Sequence, residues 1–320
     1  MAESLILWIG ILVASLAVLA KSSDYFTDSA EVIGKYFKLP AFIIGVTIVA
    51  IGTSLPELVS SLFAVFNGAS EIVVGNVIGS NITNIFLVLG ITAIFSKKIK
   101  ILHELSRVDL PLLVGSAFLF AFAIWDGVFS IFEAILFMAG LIFYLIYTMS
   151  TQDKNEDVSA EKKIKKDLEK EKLSSKTWLI FLISSFFIFL GAKYTVDSVI
   201  QLSEILNIGT EIIAIGAVAL GTSLPELMVS LTAVRKGKAE IAVGNILGSN
   251  IFNTFAVMGI PAFFGVLIIP QSILSFGLPL MLAATLLYFF IAQDKEITKW
   301  EGWMLIMFYV FFVIKLFNLA

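Results

Sequence analysis

Two glutamates stand where acids are rarely tolerated. Glu57 and Glu226 each follow a proline in the heptapeptide GTSLPEL, found at residues 52–58 and again, unchanged, at 221–227, about sixteen residues into an apolar run each time. A second shared block follows each copy: EIVVGNVIGSNITN at 71–84 and EIAVGNILGSNIFN at 240–253, identical at ten of fourteen positions. Around the two carboxylates these blocks place the hydroxyls of Thr53, Ser54, Ser80, Thr222, Ser223 and Ser249. They also supply the amides of Asn76, Asn81, Asn84, Asn245, Asn250 and Asn253. Asn81 and Asn84, like Asn250 and Asn253, are three apart and share roughly one helix face. Gly75, Gly79, Gly244 and Gly248 permit close helix approach.

Pro56 and Pro225 cannot donate a backbone N–H, and their rings press on the carbonyls four residues back, at Gly52 and Gly221. The carbonyls around Ala50–Gly52 and Ala219–Gly221 are therefore expected to leave the helix ladder, which backbone at membrane depth does only beside a cavity or another ligand. The donor set is oxygen throughout: carboxylate, hydroxyl, carbonyl and amide. Such a set suits hard cations, Ca2+ or Na+, and disfavours zinc or copper. An acid near mid-bilayer costs about 2.5–3.5 kcal/mol on insertion scales. No Lys or Arg stands at that depth in the neighbouring runs, so a bound cation is the expected partner. Cysteine is absent, which removes disulfides and thiolate chemistry, and the single histidine, His103, is expected to be solvated in a loop.

The elements that must position these groups follow from composition. The chain has 320 residues, 58 % of them hydrophobic and 29 of them Phe, with a mean hydropathy of +0.97. Soluble domains are usually about 45–50 % apolar. Ten apolar stretches recur, near 4–23, 41–66, 71–95, 108–125, 127–149, 177–200, 210–234, 239–266, 271–292 and 301–319. Each is expected to cross a hydrocarbon core of about 30 Å as a helix. The first is read as a span rather than a cleaved leader, because Met-Ala-Glu-Ser before it has no positive charge. The fold expected is an all-α polytopic membrane protein with ten transmembrane helices, of which the second, third, seventh and eighth are broken around a midplane ion site.

Basic residues orient the spans. Nineteen of the 22 Lys and Arg fall in loops after odd-numbered spans, which the positive-inside rule places in the cytoplasm, with both termini outside the plasma membrane. The one hydrophilic segment, 151–176, carries eight Lys against seven acids and reads as a tether, since its acids lack EF-hand spacing. It separates an N-terminal half, 1–150, from a C-terminal half, 177–320. Both repeated blocks share an offset of 169 residues, and Asp28 and Asp197 match at the same offset. Each half holds an odd number of spans, so equivalent segments enter the membrane from opposite sides. That inverted arrangement is typical of secondary transporters, with the site between the halves. Asp28 and Asp197 read as interfacial acids rather than ligands.

A cation channel would use the same oxygens but would more naturally line a pore with rings from symmetric subunits. An enzyme is disfavoured by the lack of HExxH, GxSxG or a nucleophile poised beside a base. No cofactor and no nucleic-acid partner is expected, and a monomer is compatible with the duplicated chain.

GTSLPEL followed by GNxxGSNxxN resembles the α-repeats of the sodium/calcium exchanger family, within the calcium/cation antiporter superfamily, and the resemblance covers the whole chain. It implies exchange of Na+ for Ca2+ by alternating access. The implied ligands are Thr53, Ser54 and Glu57 with Thr222, Ser223 and Glu226, and the carbonyls of Ala50 and Ala219, with Ser80, Asn84 and Ser249 nearby. Asn253 holds a ligand position where some members have Asp, which leaves two carboxylates instead of three and speaks against potassium co-transport. Two glutamates neutralise one Ca2+; three Na+ would leave the site at +1, and two protons would leave it neutral. Proton/calcium exchange through the same site is therefore the alternative coupling. The first and sixth spans, outside the ligand blocks, are expected to slide against the other eight.

Overall fold

The computed structural model describes residues 2–96, 98–101, 108–150, 174–205, 221 and 223–316. Among these, seven helices are long and apolar enough to cross a membrane. Asp109–Ala123 is shorter, and Lys299–Leu316 carries three charged residues. The seventh span is described from Leu224–Arg235 onward, and most of its first half lies outside the described residues, as do His103 and nearly all of the 151–176 tether.

The second span is a helix in pieces: Ala41–Ile44, a π segment at Gly45–Val49, Ala50–Thr53 and then Leu55–Phe66. Ser54 interrupts it with φ −88° and ψ 3°, and Pro56 follows in the first turn of the next piece, where a missing N–H costs nothing. Ser223 repeats the break at φ −91°, ψ 3° before Leu224–Arg235. The third span runs Glu71–Thr83, changes to a π segment at Asn84–Leu89 and ends as Gly90–Ser96. The eighth does the same, with Ala239–Phe252, a π segment at Asn253–Val257 and Met258–Ala262. Short π insertions are rare and cluster at functional sites; those of the third and eighth spans begin at Asn84 and Asn253, which are 169 positions apart.

The link between each pair of motif-bearing spans is also duplicated. Gly68 and Gly237 take left-handed φ values of 74° and 72°. Around the first, the Gly68 and Ala69 amides donate to the Val65 and Ala64 carbonyls; around the second, Gly237 and Lys238 donate to Val234 and Ala233. This is a Schellman closure, which needs a residue without a Cβ penalty at its left-handed position.

Two short antiparallel ribbons tie the halves together. Strand β1 (Lys98–Lys100) pairs with β4 (Glu296–Thr298), and β2 (Val128–Phe129) pairs with β3 (Leu267–Ile268). Lys98 and Leu267 stand 169 positions apart, as do Val128 and Ile297, so each ribbon is the inverted counterpart of the other. The first is reinforced by a Lys98–Glu296 ion pair of 2.6 Å.

Most of the buried apolar residues form one core drawn from both halves, including Val74, Ile82, Ile246, Ile251 and Tyr288. A second, smaller cluster lies between the first and sixth spans and the broken helices, joining Leu19, Phe26, Ile188 and Ala192 to Val49, Val229 and Ile241. The first and sixth spans thus form a layer of their own. They meet closely: a Cβ on Gly191 would come within 3.0 Å of the Leu19 backbone nitrogen, and Thr195 donates to Ser15 at 2.9 Å.

Both of these helices outrun their apolar stretches. The first extends over Ala2–Tyr36 and the sixth over Ser175–Ile205, against the expected 4–23 and 177–200. Hydropathy marks the lipid-facing segment, whereas the helix of the first span continues while one polar face has partners. Asp24, Asp28 and Glu31 lie on that face. Lys236 pairs with Asp28 at 2.8 Å and Asp24 at 3.5 Å, and Lys238 pairs with Asp28 at 3.1 Å and with Glu31.

Candidate functional site

A close helix contact frames the duplicated motifs. Gly45 of the second span and Gly244 and Gly248 of the eighth let the two backbones touch. A Cβ on Gly45 would lie 3.0 Å from the Asn245 nitrogen, one on Gly244 would lie 2.9 Å from the Val46 nitrogen, and one on Gly248 would meet Ala50 at 2.7 Å. That approach carries Thr53 across to the other half of the chain. Its hydroxyl donates to Oδ1 of Asn245 at 3.0 Å, stands 3.4 Å from Oγ of Ser249 and reaches the Ala50 carbonyl at 3.3 Å. Beside it, Ser54 donates to Oε1 of Glu226 at 3.2 Å. Glu57 lies close enough to Glu226 for the two charges to repel.

Of the sequence-predicted set, Ala50, Thr53, Ser54, Glu57, Ser80, Asn84, Ser223, Glu226, Ser249 and Asn253 are all buried. Ala219 and Thr222 lie outside the described residues. Among the described residues, neither carboxylate oxygen of Glu57, nor Oε2 of Glu226, nor Oγ of Ser223, nor either amide atom of Asn84 or Asn253 has a hydrogen-bond partner. Buried polar groups left so cost about 1–3 kcal/mol each, and more if charged. Six orphaned oxygens, three of them on the two carboxylates, have the chemistry that a hard cation satisfies. Among the described residues, no three His, Cys, Asp or Glu side chains cluster to hold a metal.

One expectation needs correction. The Ala50 carbonyl does not leave the ladder, because the Ser54 amide donates to it at 3.0 Å. The proline's disruption is absorbed at Ser54 itself, and the Ala50 oxygen is available only through its second lone pair.

Asn76 and Asn245 play matching roles that sequence alone left unresolved. Asn76 donates through Nδ2 to the Glu57 carbonyl at 3.2 Å and to Ser61 at 3.1 Å; Asn245 donates to the Glu226 carbonyl at 3.4 Å and to Ser230 at 3.0 Å. Each thus staples the helix after the proline to the following span. Asn81 instead points between the halves, donating to the Asn250 carbonyl at 3.4 Å and Thr254 at 3.2 Å.

Asp28 is half-exposed and takes two lysine partners, Lys236 and Lys238. The available signal was the spacing of Asp24, Asp28 and Glu31, one face of a helix just beyond an apolar run. Burial works against the charge of Lys238, yet its hydrogen bonds to Glu31 and Asp28 outweigh that, so the ammonium titrates above the ordinary lysine range.

A bundle of membrane helices built as two inverted repeats, with broken helices converging on buried oxygens, defines a secondary transporter of hard cations. The comparisons agree. Residues 7–150 and 176–318 match the family described as sodium/calcium exchanger protein, and the chain belongs to that family. It is 37 % identical to sodium/calcium exchanger MaX1 of Methanosarcina acetivorans, covering 96 % of this chain and 97 % of that protein. It is 34 % identical to an uncharacterized membrane protein of Methanocaldococcus jannaschii, covering 98 % of this chain and 99 % of the other. A structure of the sodium-calcium exchanger NCX_Mj, soaked in 2.5 mM Na+ and 10 mM Sr2+, superposes with a TM-score of 0.81 at 29 % identity, over 96 % of this chain and 98 % of that one.

Proposed function

We propose that this protein exchanges Na+ for Ca2+ across the plasma membrane by alternating access, with Glu57 and Glu226 as central ligands. Thr53, Ser54, Ser80, Asn84, Ser223, Ser249 and Asn253 complete the site with the Ala50 carbonyl, and Ala219 and Thr222 join them by repeat equivalence. The observation that carries the reading is the pair of buried carboxylates, close enough for their charges to repel, three of whose four oxygens lack a hydrogen-bond partner among the described residues. A Ca2+ ion neutralises both acids, and Na+ ions replace it stepwise because hydroxyl, amide and carbonyl oxygens serve either ion.

The first and sixth spans are the moving pair. Their separate apolar cluster supports this, since it gives them a packing surface distinct from the main core. Both termini are on the outer face and the 151–176 tether in the cytoplasm, a reading that the distribution of basic loops supports.

The test is 45Ca2+ uptake into proteoliposomes loaded with Na+, set against vesicles carrying only a pH gradient. Uptake driven by the outward Na+ gradient is expected, and a response to membrane potential would mark exchange of three Na+ for each Ca2+. Uptake driven only by protons, with no response to potential, would reassign the coupling while leaving the site in place.

A further inference from the structure

We infer that Asn245, and by repeat symmetry Asn76, is a positioning residue that turns the hydroxyl ligands so that their lone pairs face the cation. The inference rests on the cation site proposed above and adds to it the group that takes the ligands' protons.

A hydroxyl carries one proton and two lone pairs, and only a lone pair can bind a cation. In a dry site the proton must therefore be held elsewhere. Thr53 has four acceptors within reach: the Ala50 carbonyl at 3.3 Å, the Glu226 carboxylate, Oγ of Ser249 at 3.4 Å and Oδ1 of Asn245 at 3.0 Å. The first three are proposed ion ligands, so donating to any of them would spend an oxygen the ion needs. Asn245 Oδ1 alone can take the proton without loss to the site. Ser249 donates to the same oxygen, at 3.5 Å, so one acceptor turns two hydroxyls at once.

The amide cannot turn over. Its Nδ2 donates to the Glu226 carbonyl at 3.4 Å and to Ser230 at 3.0 Å, and a flipped side chain would set Oδ1 against that carbonyl. The backbone of a proposed ligand thereby dictates the orientation of two others. Asp would fit the volume but not the pattern, since it has no donor and adds a charge. Asn245 is fully buried, as are Thr53 and Ser249. In the other half, Asn76 repeats the arrangement: Nδ2 on the Glu57 carbonyl at 3.2 Å, and Oδ1 accepting from Ser80 at 3.5 Å.

Charge sets the signature. The interaction of a hydroxyl dipole with an ion scales with the ion's charge, so a misdirected hydroxyl should weaken Ca2+ about twice as much as Na+ on a logarithmic scale. Loose packing would weaken both alike. The experiment measures Ca2+ and Na+ binding to purified protein for Asn245→Ala, Thr53→Val and the double variant, with Glu226→Gln as a reference and the melting temperature read without Ca2+. Asn245→Ala should lower Ca2+ affinity about tenfold and Na+ affinity about threefold, in keeping with one lost hydrogen bond per ligand. In the Thr53→Val background most of that Ca2+ effect should vanish, apart from the share carried by Ser249. Equal losses for the two ions, or full additivity in the double variant, would overturn the assignment while Glu226→Gln still abolished binding. Ca2+ binding that survives Glu226→Gln would instead remove the cation site itself, and this inference with it. Should Asn245→Ala fail to fold, Asn76→Ala with Ser80→Ala gives the same cycle, because Asn76 is only half-buried.

Discussion

If the first span slides against the broken helices, the ion pairs at its polar end must break or exchange partners. Lys236 and Lys238 hold Asp28 at 2.8 and 3.1 Å, with Asp24 and Glu31 on either side. The equivalent lysine positions in the other half are Asn67 and Ala69, so the repeat supplies this strap at one membrane face only. Part-exposed pairs contribute about 0.2–1 kcal/mol each. Four pairs sharing two lysines are not additive, which sets the total near 1–2 kcal/mol. At about 1.4 kcal/mol per factor of ten, Lys236→Gln with Lys238→Gln should raise the population open on the lysine-rich side by about five- to thirtyfold. The absence of native cysteine makes the assay clean. Ala30, on the first helix, is fully buried in the smaller cluster that joins this helix to the broken ones, so in an Ala30→Cys background the rate of labelling by a hydrophilic maleimide reports that opening. Choline chloride at about 1 M, which shortens the Debye length to about 3 Å, should partly mimic the double variant. A labelling rate within twofold of the parent, in a variant that still binds Ca2+ and melts at the parent temperature, would refute the strap.

Three further outcomes follow from the site. Gly248→Ala should destabilise the protein by about 1–3 kcal/mol, because the new Cβ meets Ala50 at 2.7 Å and backbone besides, while Gly115→Ala, with nothing within 4 Å among the described residues, should be neutral or stabilising; thermal melts of both decide it. Ser54→Ala removes the 3.2 Å donor to Glu226 and should weaken Ca2+ binding about tenfold with little change in expression, as read by equilibrium binding. Ca2+ at about a hundred times its dissociation constant should stabilise the parent by about 2.7 kcal/mol, and Glu57→Gln should lose that gain in a melt with and without the ion.

The chemistry of the site was legible because it is written twice. GTSLPEL and GNxxGSNxxN display every proposed side-chain ligand, and an acid at mid-depth is costly enough that its neighbours must explain it. What stayed hidden depends on how residues far apart in sequence are set against one another. Thr53 meets Asn245 across 192 positions, and only the glycine-mediated approach of the second and eighth spans determines which amide atom faces which hydroxyl. The Ala50 carbonyl keeps its ladder bond because one residue in the bridge region, Ser54, takes up the bend before Pro56, a local choice that the sequence does not display. The ribbons escaped notice because strands of two or three residues have no readable periodicity. The extension of the first helix to Tyr36 depends on lysines more than 200 positions away.

The most direct measurement of the central claim is the number of Ca2+ ions bound per chain. Equilibrium 45Ca2+ binding to purified protein, for the parent, Glu57→Gln and Glu226→Gln, asks whether the two carboxylates make one site or two. One ion per chain, with affinity lost about a hundredfold or more in either single variant, is the result predicted by two half-sites joined through inversion. Two ions in the parent and one remaining in each variant would contradict it.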